Sequence, residues 1–226
     1  MTARLALGDP VVVMQSSGEG DLVFAAETAT VEVVAFAVRH TAGFLRVALP
    51  TADCARLDLP PMVPFGAGRD TVTVDARLGV RTGISARDRA RTIRLLAAPD
   101  AGPADFVRPG HIAPISTGGL GAPDDAAERA GRVVGDAGLR PVAVLCGIVS
   151  RADPTRMARH AELAAFAAEH GLDLVEHGRR AVLAPAQLSR GARGRRRSAS
   201  RRSGRAPHPT ASGTGRTSGG SSWPFR

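Results

Sequence analysis

The chain has 226 residues, thirty arginines, no lysine and a net charge of +9. Ten arginines and no acid fall between Arg190 and Arg226, so the preceding residues sum to about −1, and the basic isoelectric point describes the tail alone. This excludes pI as an argument for a nucleic-acid enzyme, two cysteines (Cys54 and Cys146) exclude a disulfide framework, and MTARLALGDP has no apolar run of signal-peptide or membrane-span length. The expectation is a soluble cytoplasmic protein of one sizeable domain.

In chain order, PVVVM (10–14), LVFAA (22–26), FLRVAL (44–49), TVTVDA (71–76) and PVAVLCGIV (141–149) read as strands, Val-rich and bounded by Gly, Pro or Asp. Residues 30–43 have the β-branched content of a strand and the length of a helix, and read as a helix. Residues 85–99 read as a helix capped by Ser85 with Asp88 in its first turn. Residues 123–138 read as another, entered at Pro123 and left at Gly138. Residues 155–171 form the most regular helical pattern, with Met157, Ala161, Leu163, Ala164 and Ala167 in register and Gly171 at its end. Strands mixed with helices and few hairpin turns imply an α/β-type layered domain over 1–189. Residues 190–226 are Arg, Ser, Gly, Pro and Ala with almost no apolar content, the composition of a disordered tail. It is also what a GC-rich gene yields when read out of frame. Aromatic residues are absent from it before Trp223, so tail-mediated binding of nucleic acid rests on charge alone.

Several stretches together resemble one family, 3,4-dihydroxy-2-butanone 4-phosphate synthase of riboflavin biosynthesis. They are EGDLVFAAE (19–27), RHTAG (39–43), LDLPPMV (57–63), TVTVDARLGVRTGISARDRARTI (71–93), RPGHIAPI (108–115), AGLRPVAVLC (137–146) and MARHAELAAFAAEHGLDLV (157–175). The resemblance implies an α/β (α+β type) three-layer domain with a mixed, twisted sheet flanked by helices, and a homodimer with active sites at the subunit interface. It implies conversion of ribulose 5-phosphate to the four-carbon phosphate plus formate. Magnesium or manganese would hold the sugar's oxygens and stabilise the enediolate left when a base removes a proton. By the same resemblance His111 matches a catalytic histidine, Glu19, Asp21 and Thr82 match substrate-binding positions, and Arg39 and His40 stand in a retained segment.

The chain departs from the family pattern where the ion should bind. The acidic loop Asp-Arg-Glu-Asn-Glu-Gly-Asp becomes Gln15-Ser16-Ser17-Gly18-Glu19-Gly20-Asp21, with Ser16 at the substrate-binding Arg and Ser17 at a metal-binding Glu. The Arg-x-Gly-His-Thr-Glu-Ala segment becomes Pro123 to Arg129, with Ala126 at the metal-binding His and Ala127 at the Thr. Asp124 and Asp125 stand where a phosphate would dock, and also where acids favour a helix N-terminus. Gly147 replaces a catalytic Glu, Arg81 replaces a Thr, and one extra residue enters the turn around Asp153. Three expectations follow: a divergent synthase, a catalytically silent relative acting as a partner or regulatory subunit, and a binder of acidic surfaces through the tail.

Overall fold

The protein's structure, a computed structural model, describes residues 2–63, 68–118 and 125–176. The tail over 190–226, Asp124 and the helix entrance at Pro123 lie outside them. Among the described residues, seven strands and six α-helices run in the order α1 (Thr2–Ala6), β1 (Val11–Met14), β2 (Gly20–Ala25), α2 (Val31–His40), β3 (Arg46–Pro50), α3 (Thr51–Arg56), β4 (Val74–Ala76), α4 (Ala86–Ala97), β5 (Phe106–Thr117), α5 (Ala126–Gly135), β6 (Ala143–Gly147), α6 (Ala161–His170) and β7 (Leu174–Val175).

The strands form one sheet in the order β4-β5-β3-β6-β2-β1-β7. It is mixed: β3 pairs with β5 and β1 with β7 in parallel, while β1–β2, β2–β6, β3–β6 and β4–β5 are antiparallel. Side chains alternate across a strand, so each central strand feeds two cores. Leu22, Phe24, Val47, Leu49, Val144 and Cys146 pack with α2, α4 and α6. Val23, Ala25, Ala48, Ala143 and Leu145 pack on the other face with α1 and α5. The result is the three-layer α/β domain that the resemblance implied. Burial on both faces explains why these strands are continuous apolar runs rather than alternating ones.

Local chemistry sets the helix starts. Thr30 accepts from Val33 N at 3.2 Å, and Ser85 accepts from Asp88 N at 3.1 Å, so both N-caps are occupied by a hydroxyl. Residues 30–43 are thus helical over Val31–His40, and Ser85 caps its helix as its position predicts. Gly171 ends α6 in the left-handed region at φ +63°.

Two expectations need correction. The helix read over 155–171 begins only at Ala161. Residues 155–160 spend their backbone groups elsewhere: Ala158 N donates to Ile148 O at 2.8 Å and His160 N to Gly18 O at 3.1 Å. Asp153 also captures the Thr155 amide and hydroxyl in a side-chain turn. The helix read to Gly138 stops at Gly135, with Asp136 as its cap and Gly138 at φ +80° beyond it. A further element, the 12-residue β5, was not expected at all.

Candidate functional site

β1 and β2 form a hairpin whose connection is Gln15–Glu19, with Met14 opposite Gly20 and Val13 opposite Asp21. Gln15 N donates to Glu19 O at 2.8 Å and Gly18 N to Gln15 O at 3.0 Å, closing the loop. Gly18 holds φ +83°, and a Cβ there would lie 2.2 Å from the His160 ring. A glycine is required on both counts. The Ser17 hydroxyl accepts from Glu19 N at 3.3 Å, and Glu19 is ion-paired with Arg159 at 2.7 Å. Ser16, at the position of the family's substrate-binding Arg, has no charge to offer a phosphate.

Asp21 is buried near the end of β2, opposite Gly147 on β6 and on the α5 face of the sheet. Its carboxylate accepts from the Gln15 amide at 2.6 Å. Burial raises its pKa above the ordinary carboxylate value, against the Gln15 bond and the charge of Arg46, while Asp125 and Glu19 add to the rise. A Cβ at Gly147 would come 3.8 Å from Asp21 Oδ1 and 2.5 Å from Met157 Cε. The space where the family carries a Glu is thus bordered by a thioether methyl.

His111 lies on β5. Its Nδ1 is 2.6 Å from Asp75 Oδ2, and its backbone N donates to Asp75 Oδ1 at 3.0 Å. One buried carboxylate therefore fixes both the ring and the main chain of this histidine. Gly83 packs directly on the pair at φ +77°. Its N–H donates to Asp88 Oδ2, as does that of Arg81, which moulds the 81–83 turn around the buried Asp88. Thr82, at the tip of that turn, is exposed. In the sheet order β5, which carries His111, lies three strands from β2, which carries Asp21. Arg39 is exposed at the end of α2. His40 stacks on Phe36 and His170 at centroid distances of 4.6 and 4.8 Å, packed with helices of the opposite face.

At the start of α5, Asp125 is the N-cap and accepts from Ala127 N at 2.7 Å. This is the helix-start role expected of an acid there. Partial burial opposes ionisation of Asp125, but the Arg69 bond and the helix N–H groups outweigh it and hold the carboxyl below the ordinary range. Ala126 follows with no donor atom in its side chain.

Sequence reasoning brought out Asp21, Glu19, His111 and the substituted positions. It missed Asp75, Gln15 as the partner of Asp21, and the arginines Arg46 and Arg69. Asp75 had one signal, an acid inside a Val-rich strand; the arginines had none.

A divalent magnesium needs carboxylate or carbonyl oxygens in near-octahedral array. The Ser17 hydroxyl accepts from its own loop, Ala126 and Gly147 supply no ligand atom, and one oxygen of the Asp21 carboxylate accepts from Gln15. Among the described residues no group of three or more His, Cys, Asp or Glu side chains is arranged to hold a metal ion. The described residues do not by themselves fit the ion.

Residues 1–179 match the family model for 3,4-dihydroxy-2-butanone 4-phosphate synthase. The chain is 49% identical over 182 residues to riboflavin biosynthesis protein RibBA of Rhodococcus jostii, covering 76% of this chain and 44% of that one. RibBA of Salinispora arenicola is 50% identical over the same length, covering 76% and 43%. The chain thus spans less than half the length of these curated relatives. Among solved structures, the synthase of Candida albicans superposes with a TM-score of 0.71 at 37% identity, covering 77% of this chain and 90% of that one. A synthase in complex with two magnesium ions gives 0.70 at 39%, with the same coverage. A family match over most of the chain, together with the sheet order and the loop geometry, leads to one conclusion: the chain belongs to the 3,4-dihydroxy-2-butanone 4-phosphate synthase family of riboflavin biosynthesis.

Proposed function

We propose that this chain is a catalytically silent member of its family, a partner or regulatory protein of riboflavin biosynthesis that does not convert ribulose 5-phosphate. One observation carries the reading. At the described family positions for the ion, Ser17 offers only a hydroxyl that already accepts within its loop, Ala126 and Gly147 offer no ligand atom, and no group of three or more His, Cys, Asp or Glu among the described residues is arranged to replace them. Loss of one residue supporting a metal costs about 10–100-fold in affinity, and direct ligands cost more. Members of one catalytic constellation are lost together rather than additively. Without an ion to take up the developing charge, His111 has no stabilised enediolate to form.

A second reading keeps the synthase reaction at a reduced rate, favoured by the preformed Asp75–His111 pair, whose ring is aimed and whose Nδ1 is committed. It would use Glu19, Asp21 and Thr82 toward the sugar phosphate, with Mg2+ or Mn2+ recruited by other groups. One assay separates the two: purified protein with ribulose 5-phosphate and magnesium, followed for formate. The silent reading expects no formate above the protein-free control, and turnover at ordinary enzyme rates refutes it. A melting temperature unmoved by substrate and magnesium would show further that neither is bound.

The chain is also proposed to act as a homodimer in the cytoplasm. Exposed Met62, Val63, Leu78, Ile84 and Val107 flank the β4–β5 side of the sheet and give it an apolar surface that a second copy could cover. No helix among the described residues is long and apolar enough to cross a membrane.

A further inference from the structure

Resting on the reading that no catalytic ion is held, we propose that the start of α5 carries its own cation: the guanidinium of Arg69 does for the carboxylates there what a bound metal ion would do.

The main chain of Arg69 is fixed on β5, where its carbonyl accepts from Ser116 N at 2.9 Å and the next residue, Asp70, bridges to Ile115. Its side chain, 18% exposed, reaches α5. Nη1 donates to Glu128 Oε1 at 2.8 Å, and Nη2 is paired with Asp125. Both carboxylates have second tasks. Glu128 Oε1 accepts from Gly118 N at 2.8 Å, and Asp125 caps the helix. One planar group thereby ties the last described residue of β5's exit to the first turn of α5. Asp125 immediately precedes Ala126, the position from which a family ligand has been lost.

Two neighbouring carboxylates repel, and near the protein surface that repulsion is worth several kcal/mol at contact distance. A divalent ion cancels it, and so does a guanidinium fork, which adds directed hydrogen bonds and never deprotonates. Arg46 adds a second positive charge nearby, donating to Asp70 at 3.0 Å and acting on Asp21 through its charge. A protein with built-in counter-charge has no structural need for magnesium.

The experiment is thermal melting of the full chain with millimolar magnesium or with a chelator, for the unaltered protein, Arg69→Met, Arg69→Met/Glu128→Gln and Arg69→Lys. The unaltered protein should ignore both additives. Arg69→Met should melt lower, by on the order of 3–8 °C, and regain part of that in magnesium. Arg69→Met/Glu128→Gln should regain part without the ion and lose the magnesium response. Arg69→Lys, which keeps the charge without the fork, should lie between and tests the idea even if Arg69→Met does not fold. Magnesium that raises the melting temperature of the unaltered protein overturns the proposal, and so does an Arg69→Met variant as stable as its parent or blind to magnesium. The underlying reading fails separately, by formate release; protection by magnesium without formate sinks this proposal alone.

Discussion

Gly83→Ala tests whether the Asp75–His111 pair is as tightly framed as its distances imply. A Cβ at residue 83 would stand 2.0 Å from Asp75 Oδ2, 2.5 Å from Asp75 Cγ and 2.6 Å from His111 Nδ1. The nearest oxygen is about 1 Å inside any contact a Cβ tolerates, so either the carboxylate or the 81–83 turn must move. The backbone adds its own cost, because φ +77° for a residue with a Cβ costs about 1–2 kcal/mol. Displacing Asp75 also leaves the His111 amide or ring without its buried partner, about 1–3 kcal/mol more. The sum is about 2–5 kcal/mol, a large share of the roughly 5–15 kcal/mol that holds an ordinary domain together. Urea unfolding of the two proteins measures it, and the imidazole resonances of His111 report whether its partner has moved. A loss below about 0.5 kcal/mol, the level of a neutral surface change, with unaltered His111 resonances would refute the reasoning.

Gly18→Ala should also destabilise, because its Cβ meets the His160 ring at 2.2 Å; His160→Ala should relieve the steric part and leave only the cost of φ +83°, about 1–2 kcal/mol, as read by unfolding of the single and double variants. Asp53, largely buried, holds Arg56 at 2.8 Å and Arg140 at 3.0 Å, so Asp53→Ala leaves both guanidinium groups with only backbone carbonyl partners and should cost about 1–3 kcal/mol in urea unfolding. Burial lowers the His40 pKa, and the charges of His170, Arg151 and Arg39 lower it further, against Glu169. A histidine depressed in the folded state contributes stability that is whole above its ordinary value of 6.5 and is lost as the pH falls below it; the melting temperature should drop on that side, and less in His170→Gln. Ser17→Glu, Ala126→His and Gly147→Glu together should not restore formate release, because Gln15 still holds Asp21 and Arg69 still holds Asp125; recovery of ordinary turnover would show that only three residues had been lost.

The strand cores and the capped helices were legible because their signals are local. Val-rich runs bounded by breakers gave five strands, and Thr30 and Ser85 gave two helix starts. β5 was illegible for a physical reason. FVRPGHIAPIST carries two prolines and a glycine, and after the buried Phe106 its first half is largely exposed while its second is largely buried, so neither alternation nor a continuous apolar run marks it. The helical pattern over 155–160 is real in the sequence, yet the backbone there bonds to Ile148 and Gly18, a long-range choice that no window reveals. At the site, the substituted positions were visible by comparison with the family pattern. The partners of the side chains around them were not: Gln15 reaches Asp21 across a hairpin, Asp75 reaches His111 from 36 residues away, and Arg69 reaches Glu128 across 59.

Among the described residues the sheet ends in two short strands. At one end lies β7, two residues long; at the other lies β4, three residues long and broken by a register shift between Val74 and Asp75. A foreign strand laid against either described rim would find only two or three residues to bond, too few to repay the entropy of ordering it. Growth into fibrils by strand addition is therefore poorly templated along these described strands.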